Sequence, residues 1–348
     1  MKAWILHDIN DLRYETADLP PLLSGEVLIK VKAVGICGSD IPRIYHTGAH
    51  THPLIPGHEF SGIVEQLGPD VDKTWLGRRV GVFPLIPCKT CAPCRKKLYE
   101  MCRSYDYTGS RRNGAFAEYV SVPAWNLIPL PEEASFEAAA MLEPMAVAVH
   151  AMRRAAPAPS DTVAVCGLGT IGLLLVMFLL DAGVKNLLVI GNKAFQKQTV
   201  LKLGLPNDAY CDSKTENVSK WLSARTDGMG ADVFFECVGK NETYIQAIQN
   251  AAPAGTVILT GNPFSDMELP KDVYWKILRN QLTVSGTWNS SYIHDTKDDW
   301  NYVIERLAAK KIAPETLITH RLPLERLTEG LHIMRDKTED YVKIMAIL

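Results

Sequence analysis

The sequence predicts an α/β protein: a β-rich domain joined to a doubly wound parallel sheet. Three observations predict it. A glycine signature, Gly167-Leu168-Gly169-Thr170-Ile171-Gly172, stands between a β-branched run (Thr162 to Cys166) and an apolar helical run (Leu173 to Leu180). Short apolar strands then recur at 186–190, 232–237, 256–260 and 282–286 with helical segments between them, which is the alternation of a parallel sheet. Up to about residue 130 the chain reads instead as short strands broken by glycine and proline, as in a β-barrel-like domain. The 348 residues exceed what one core usually holds and accommodate two domains.

Along the chain, Glu26 to Ala33 alternates apolar and polar residues and predicts a half-buried strand. Ala146 to Arg154 predicts a helix, and Ala155 to Asp161, rich in alanine and proline, marks a boundary after it. Asp181 cuts the Leu173–Leu180 run well short of the ~18–20 apolar residues of a membrane span. Asp298 to Lys310 predicts a late helix returning to the first domain. The expected division is therefore 1–154 with 289–348, and 155–288, with ligand in the cleft between them at the carboxyl ends of the strands. A net charge of −2 gives no electrostatic case for nucleic acid or an anionic membrane. With no secretory signal at its start, the chain is expected to be cytoplasmic, and stable disulfides are not expected.

Cys88, Cys91, Cys94 and Cys102 are spaced C-x2-C-x2-C-x7-C in a stretch with almost no apolar residues of its own. Four thiolates around one zinc ion would hold such a loop. A disulfide pair, a redox CxxC and an iron–sulfur cluster are the alternatives; the x7 gap and the absence of an adjacent βαβ unit weigh against the last two. A fifth cysteine opens a second constellation: Gly35-Ile36-Cys37-Gly38-Ser39-Asp40, then Gly57-His58-Glu59-Phe60. Catalytic zinc takes three or so protein ligands and keeps an open position, and Cys37, His58 and a carboxylate satisfy that requirement. Glu143 lies in an apolar stretch (Met141 to Met145), costly unless paired or bound to a cation. Its alternative reading is an acid at a helix N-terminus, with Pro144 at the first helical position. Cys166, Cys211 and Cys237 read as small buried fillers.

GICGSD, GHEFSG, the cysteine lobe at 88–102, GAFAEY (114–119), Leu142-Glu143-Pro144 and GLGTIG occur in one order along essentially the whole chain. Together they resemble the zinc-dependent medium-chain dehydrogenase/reductase superfamily. The segments 37–50, 53–62 and 105–119 look closest to its polyol branch, in particular to members acting on polyol phosphates. The resemblance implies a GroES-like catalytic domain, a Rossmann nucleotide-binding domain and two zinc ions per chain, one catalytic and one structural. It further implies an assembly into homodimers or homotetramers. It makes Cys37, His58 and Glu143 the catalytic zinc ligands, with Glu59 exchanging with Glu143 or holding a zinc-bound water. Asp40 would orient His58, and Ser39 would pass the substrate proton outward; a turn residue is the alternative for Ser39.

The implied reaction is hydride transfer between NAD(P) and a secondary alcohol of a polyol phosphate such as galactitol 1-phosphate. An unphosphorylated, sorbitol-like polyol, L-threonine, or a non-catalytic nucleotide-binding role are the alternatives. Gly167 to Gly172 would hold the pyrophosphate. Where a ribose-binding acid is expected, about 20 residues on, stands Gly191-Asn192-Lys193. The missing acid favours NADP(H) over NAD(H). Arg43 replaces the tyrosine of sorbitol-type enzymes, and Ser110-Arg111-Arg112 precedes GAFAEY; arginine forks suit phosphate monoesters, with solvated loop arginines as the alternative. Trp288 and Asn289, ending the last strand, would touch nicotinamide or substrate by family analogy. His46, His50 and His52 read as a loop rather than a further metal site.

Overall fold

The computed structural model describes residues 1–348. The chain forms two compact units, Met1–Ala146 with Ser290–Leu348, and Val147–Asn289. The division falls inside the helix Leu142–Ala155, not after Arg154. The alanine–proline run thus marks the end of that helix rather than the border of a unit. This helix also starts four residues before Ala146. Pro144, its third residue, is tolerated because first-turn N–H groups have no intrahelical acceptor to lose.

The first unit is organised by a seven-stranded sheet. Its order is Ile318–Pro323, Lys343–Ile347, Glu26–Gly35, Glu59–Leu67, Arg79–Val82 and Leu127–Pro129, with Tyr119–Pro123 also paired to Glu26–Gly35. Val27, Ile29, Val31 and Val34 enter a core with Phe60, Val64, Val80, Phe116 and Val120. The strand expected to be half-buried is buried on both faces: Leu28, on the side opposite Val27 and Ile29, is 1 % exposed. The short helix Phe136–Ala140 lies across this strand and its neighbour Glu59–Leu67 and excludes water from the second face. The last strand, Lys343–Ile347, pairs antiparallel with the end of Glu26–Gly35, Met345 opposite Gly35. Gly35 also stands opposite Glu59. Gly35 therefore stands between Glu59, the first residue of one neighbouring strand, and Met345, the middle residue of the other.

The second unit is a six-stranded parallel sheet ordered Tyr210–Asp212, Asn186–Gly191, Thr162–Cys166, Ala231–Glu236, Ala251–Leu259 and Thr283–Gly286. Numbered by chain position this is 3-2-1-4-5-6, the doubly wound Rossmann order with its switch point beside the first strand. The helix Thr170–Asp181 follows that strand, and Gly172 through Leu179 are all buried. Being apolar all round, it suits burial on every side. The late helix runs Asp299–Ala308, its first turn capped by the Asp298 carboxylate, which accepts from the Asn301 N–H at 2.8 Å. No helix is long and apolar enough to cross a membrane.

Candidate active site

Cys37 leaves the strand that ends at Gly35, and His58 and Glu59 open the strand paired with it. Backbone pairing thus brings a thiol, an imidazole and a carboxylate together, their ligand atoms all within 4.8 Å of one another. His58 and Glu59 are buried. Asp40 is wholly buried; its carboxylate accepts from the Cys37 N–H at 2.9 Å and from Arg43 at 2.6 Å, and lies 3.7 Å from His58 Nδ1. The Ser39 hydroxyl donates to Cys37 Sγ at 3.3 Å. Glu143, in the first turn of its helix, stands outside the compact set. Its carboxylate accepts from the Tyr107 hydroxyl at 3.3 Å and interacts electrostatically with His58 and Glu59.

The donor set calls for a cation. Burial pushes the Cys37 thiol up to about 12, and the negative charges of Glu59 and Asp40 push in the same direction. Burial raises Glu143 to about 7, against the pull of His58. His58 Nδ1 is buried without a hydrogen-bond partner, an arrangement that costs free energy unless something else engages the ring. Sulfur, nitrogen and oxygen donors in one small volume suit zinc. Sequence reading missed one member of this site. Lys343, 2 % exposed, donates from Nζ to the Ile36 carbonyl at 3.1 Å and to Glu59 Oε2. A lysine heading an otherwise apolar strand (Lys343 to Ile347) was the available signal.

The second candidate metal site is the cysteine lobe. Cys88 and Cys94 Sγ are 4.0 Å apart and Cys91 and Cys102 Sγ 3.9 Å, far beyond a disulfide bond of ~2.05 Å. A tetrahedron with Zn–S bonds of ~2.3 Å has edges of about 3.8 Å, so the four thiols are spaced for one zinc ion. Hydrogen bonds from Thr90 bring Cys88 down to about 5, which favours the ligating thiolate. The lobe is held from outside by Trp125, whose ring packs edge-on against Tyr99 and lies 4.5 Å below the Lys89 ammonium. All eight cysteines are free thiols. Cys166 and Cys211 are buried fillers as expected, while Cys237 is half-buried beside the glycine loop. His46, His50 and His52 form no metal-ligating group.

In the second unit, Gly167 has φ +97°, and a Cβ there would meet Val238 at 2.6 Å. A Cβ on Gly172 would run into the Gly167 carbonyl, so helix and loop close tightly only with glycine. Nothing lies within 4 Å of a Cβ built on Gly169, which leaves that backbone open beside the start of the helix at Thr170. Leu168 and Gly172 are buried and Ile171 is half-buried; the loop is tied to the next strand end by Gln196, which donates to the Leu168 carbonyl and accepts from the Asn192 N–H. Gly191 ends that strand and Lys193 stands at the position before the following helix. This geometry matches a dinucleotide cradle.

The expected anion contacts divide. Arg43 is tied to Asp40 beside the metal set. Arg111 lies over the Tyr105 ring at 4.5 Å. Arg112 is otherwise engaged: its guanidinium donates at 2.7 Å to Glu26, a buried carboxylate 86 residues away, and so pins this loop to the central strand. Ser110 is buried. Asn289 takes a left-handed φ of 54° at the end of the second unit, and Trp288 is exposed.

Residues 23–132 match the family described as Alcohol dehydrogenase GroES-like domain, and residues 170–309 the family described as Zinc-binding dehydrogenase. Galactitol 1-phosphate 5-dehydrogenase of Escherichia coli (strain K12) is 33% identical over 311 residues, 88% of either chain. The chain belongs to the zinc-dependent medium-chain dehydrogenases. It is an oxidoreductase of the alcohol and polyol dehydrogenase kind. The crystal structure of galactitol-1-phosphate dehydrogenase from Escherichia coli superposes with a TM-score of 0.93 at 31% identity, covering 100% of both chains. Two further structures superpose with TM-scores of 0.91 at 26% identity, each covering 100% of this chain and 99% of the other. One is a putative zinc-binding dehydrogenase from Sinorhizobium meliloti 1021 bound to NADP, the other RspB from Escherichia coli CFT073 complexed with NADH.

The Glu26–Arg112 pair yields a prediction that separates structure from substrate binding. Arg112→Ala leaves a buried carboxylate unpaired and costs about 1–3 kcal/mol. The melting temperature, followed by circular dichroism, falls by about 5 °C, while KM for the polyol substrate stays within about twofold. A selective rise in KM at unchanged stability would make Arg112 a substrate contact.

Proposed function

We propose that this enzyme oxidises a secondary alcohol of a polyol phosphate, of the galactitol 1-phosphate kind, to the keto sugar phosphate, using NADP(H) in preference to NAD(H). The observation that carries the reading is the compact Cys37–His58–Glu59 set with Arg43 fixed at its edge through Asp40. When bound, zinc at Cys37, His58 and a carboxylate, Glu143 or Glu59, supplies a Lewis acid that lowers the pKa of an alcohol, and the dinucleotide supplies the hydride acceptor. The chain's own residues do the rest. The Asp40 carboxylate, 3.7 Å from His58 Nδ1, would accept from that nitrogen and set the ring's orientation once the ring is engaged on the metal. Ser39 Oγ takes the substrate proton outward. Arg43 has five N–H donors, of which Asp40 engages Nη1; its remaining fork and Arg111 receive the phosphate. A structural zinc ion in the cysteine lobe does no chemistry and maintains the shape of 88–102.

The glycine loop and the first turn of the Thr170 helix hold the pyrophosphate. The strand end Gly191-Asn192-Lys193 carries no acid to repel a 2′-phosphate, and Lys193 attracts one. The enzyme acts in the cytoplasm, where thiols stay reduced and available as zinc ligands. The chain forms a homodimer through its second unit. Support comes from the sheet edge Thr283–Gly286 and from Tyr274, Trp275 and Leu278, exposed on the helix Lys271–Arg279.

The reading is tested by zinc-supplemented NADP+ and NAD+ reduction on galactitol 1-phosphate, galactitol, sorbitol and L-threonine. The phosphate ester gives a kcat/KM at least about tenfold above the free polyols, and Arg111→Gln raises KM for the ester alone. Equal turnover of galactitol contradicts the phosphate assignment, and a clear preference for NAD+ contradicts the cofactor assignment. In sedimentation velocity the protein runs at twice the chain mass of 38.6 kDa, and Trp275→Glu shifts it to the single chain. A monomeric wild type refutes the dimer.

A further inference from the structure

The Glu59–Lys343 pair spans two strand spacings. Lys343 opens one outer strand, Glu59 opens the other, and Gly35 ends the strand between them. Neighbouring strands lie ~4.8 Å apart, so the two outer strands run roughly 9.6 Å apart, and Lys343 stands two residues along its strand from Met345, the residue opposite Gly35. The long lysine stem and the glutamate close that distance over the glycine. A Cβ on Gly35 would sit 2.5 Å from Glu59 Oε2 and 3.3 Å from Lys343 Cδ. Gly35 is therefore the opening through which the two side chains meet. Stability alone is a poor reason for such a pair, since well-packed apolar residues serve a buried position as well. Its other feature is its place: the carboxylate Lys343 holds is one of the three candidate metal ligands.

We propose that Lys343 is a positioning residue for the metal centre. Its ammonium competes with the metal for the Glu59 carboxylate, keeps Glu59 a part-time ligand, and so preserves a coordination position for substrate. The inference rests on the reading that Cys37 and His58 hold the metal. Lys343 is anchored independently of the metal by the Ile36 carbonyl, one residue before Cys37. The ammonium therefore stays in place whether Glu59 faces it or turns to the metal. A neutral residue at 343 would release Glu59 into permanent ligation and remove a positive charge from beside the ion, and both changes tighten metal binding.

The experiment follows zinc release from the full-length, zinc-loaded protein to an excess of a colorimetric chelator. Cys37→Ser identifies which kinetic phase belongs to this centre. Lys343→Met slows that phase by about tenfold or more, the range in which residues behind metal ligands act, and Lys343→Arg keeps it within about threefold of wild type. Release at or above the wild-type rate in Lys343→Met overturns the inference. Where Lys343→Met alone does not fold, Glu59→Gln and the double variant decide, because the double variant removes both buried charges at once. Glu59→Gln leaves the ammonium uncompensated beside the metal and accelerates release, whereas the double variant returns to near the wild-type rate. A double variant as fast as Glu59→Gln overturns the competition. A wild-type release profile unaltered by Cys37→Ser refutes the metal centre itself, and the role of Lys343 with it.

Discussion

Charge balance in a buried volume is the constraint on which this site depends. Cys37, Asp40, Glu59 and Glu143 place four potential anions where three strands and a helix converge, and Arg43 and Lys343 supply two fixed cations. Isolated charges in such surroundings are costly, and the two cations compensate only half of them. One divalent ion, held at the candidate site, would close the difference. The fold gives the ion somewhere to sit because strand pairing, rather than loop conformation, sets the spacing: Gly35 is in register with both Glu59 and Met345. A site built on paired strand ends holds its ligands more precisely than one built on flexible loops.

The same logic distinguishes the two candidate metal sites. The cysteine lobe has four thiols spaced for tetrahedral closure and no further donor group, so nothing is left for substrate. The strand-end site has three donors in a compact set, Glu143 just outside it, and Lys343 engaging one donor. An incomplete donor set, with one carboxylate also engaged by a lysine, would leave room for a substrate at a metal held there. The Asp40 carboxylate joins this site to its surroundings. It faces His58, takes the Cys37 amide and orients Arg43.

Local features of the chain were legible in the sequence. The glycine loop between strand and helix, the recurrent strands and the four-cysteine spacing all act over a few residues; the loop and the cysteine group lie where the pattern put them, while the strand expected at 256–260 begins earlier, at Ala251. Features that depend on distant partners were not. Lys343 meets Glu59 across 284 residues, and no periodicity connects the two positions. Arg112 read as an anion contact because its partner Glu26 belongs to a strand far upstream. The strand from Glu26 read as half-buried because its charges alternate correctly; the helix Phe136–Ala140 that covers its second face is invisible from within it. Glu59 and Glu143 were both noticed, yet only the strand register shows which of them shares a compact set with Cys37 and His58.

The most direct test of the account is the zinc content of the purified full-length protein, measured by plasma mass spectrometry in parallel with Cys37→Ser and Cys94→Ser. Two zinc ions per chain in the wild type are predicted, with one lost in Cys37→Ser while the cysteine lobe keeps the other. A wild type holding a single ion that survives Cys37→Ser and disappears in Cys94→Ser would contradict it, and would leave the buried anions at Gly35 without their counter-charge.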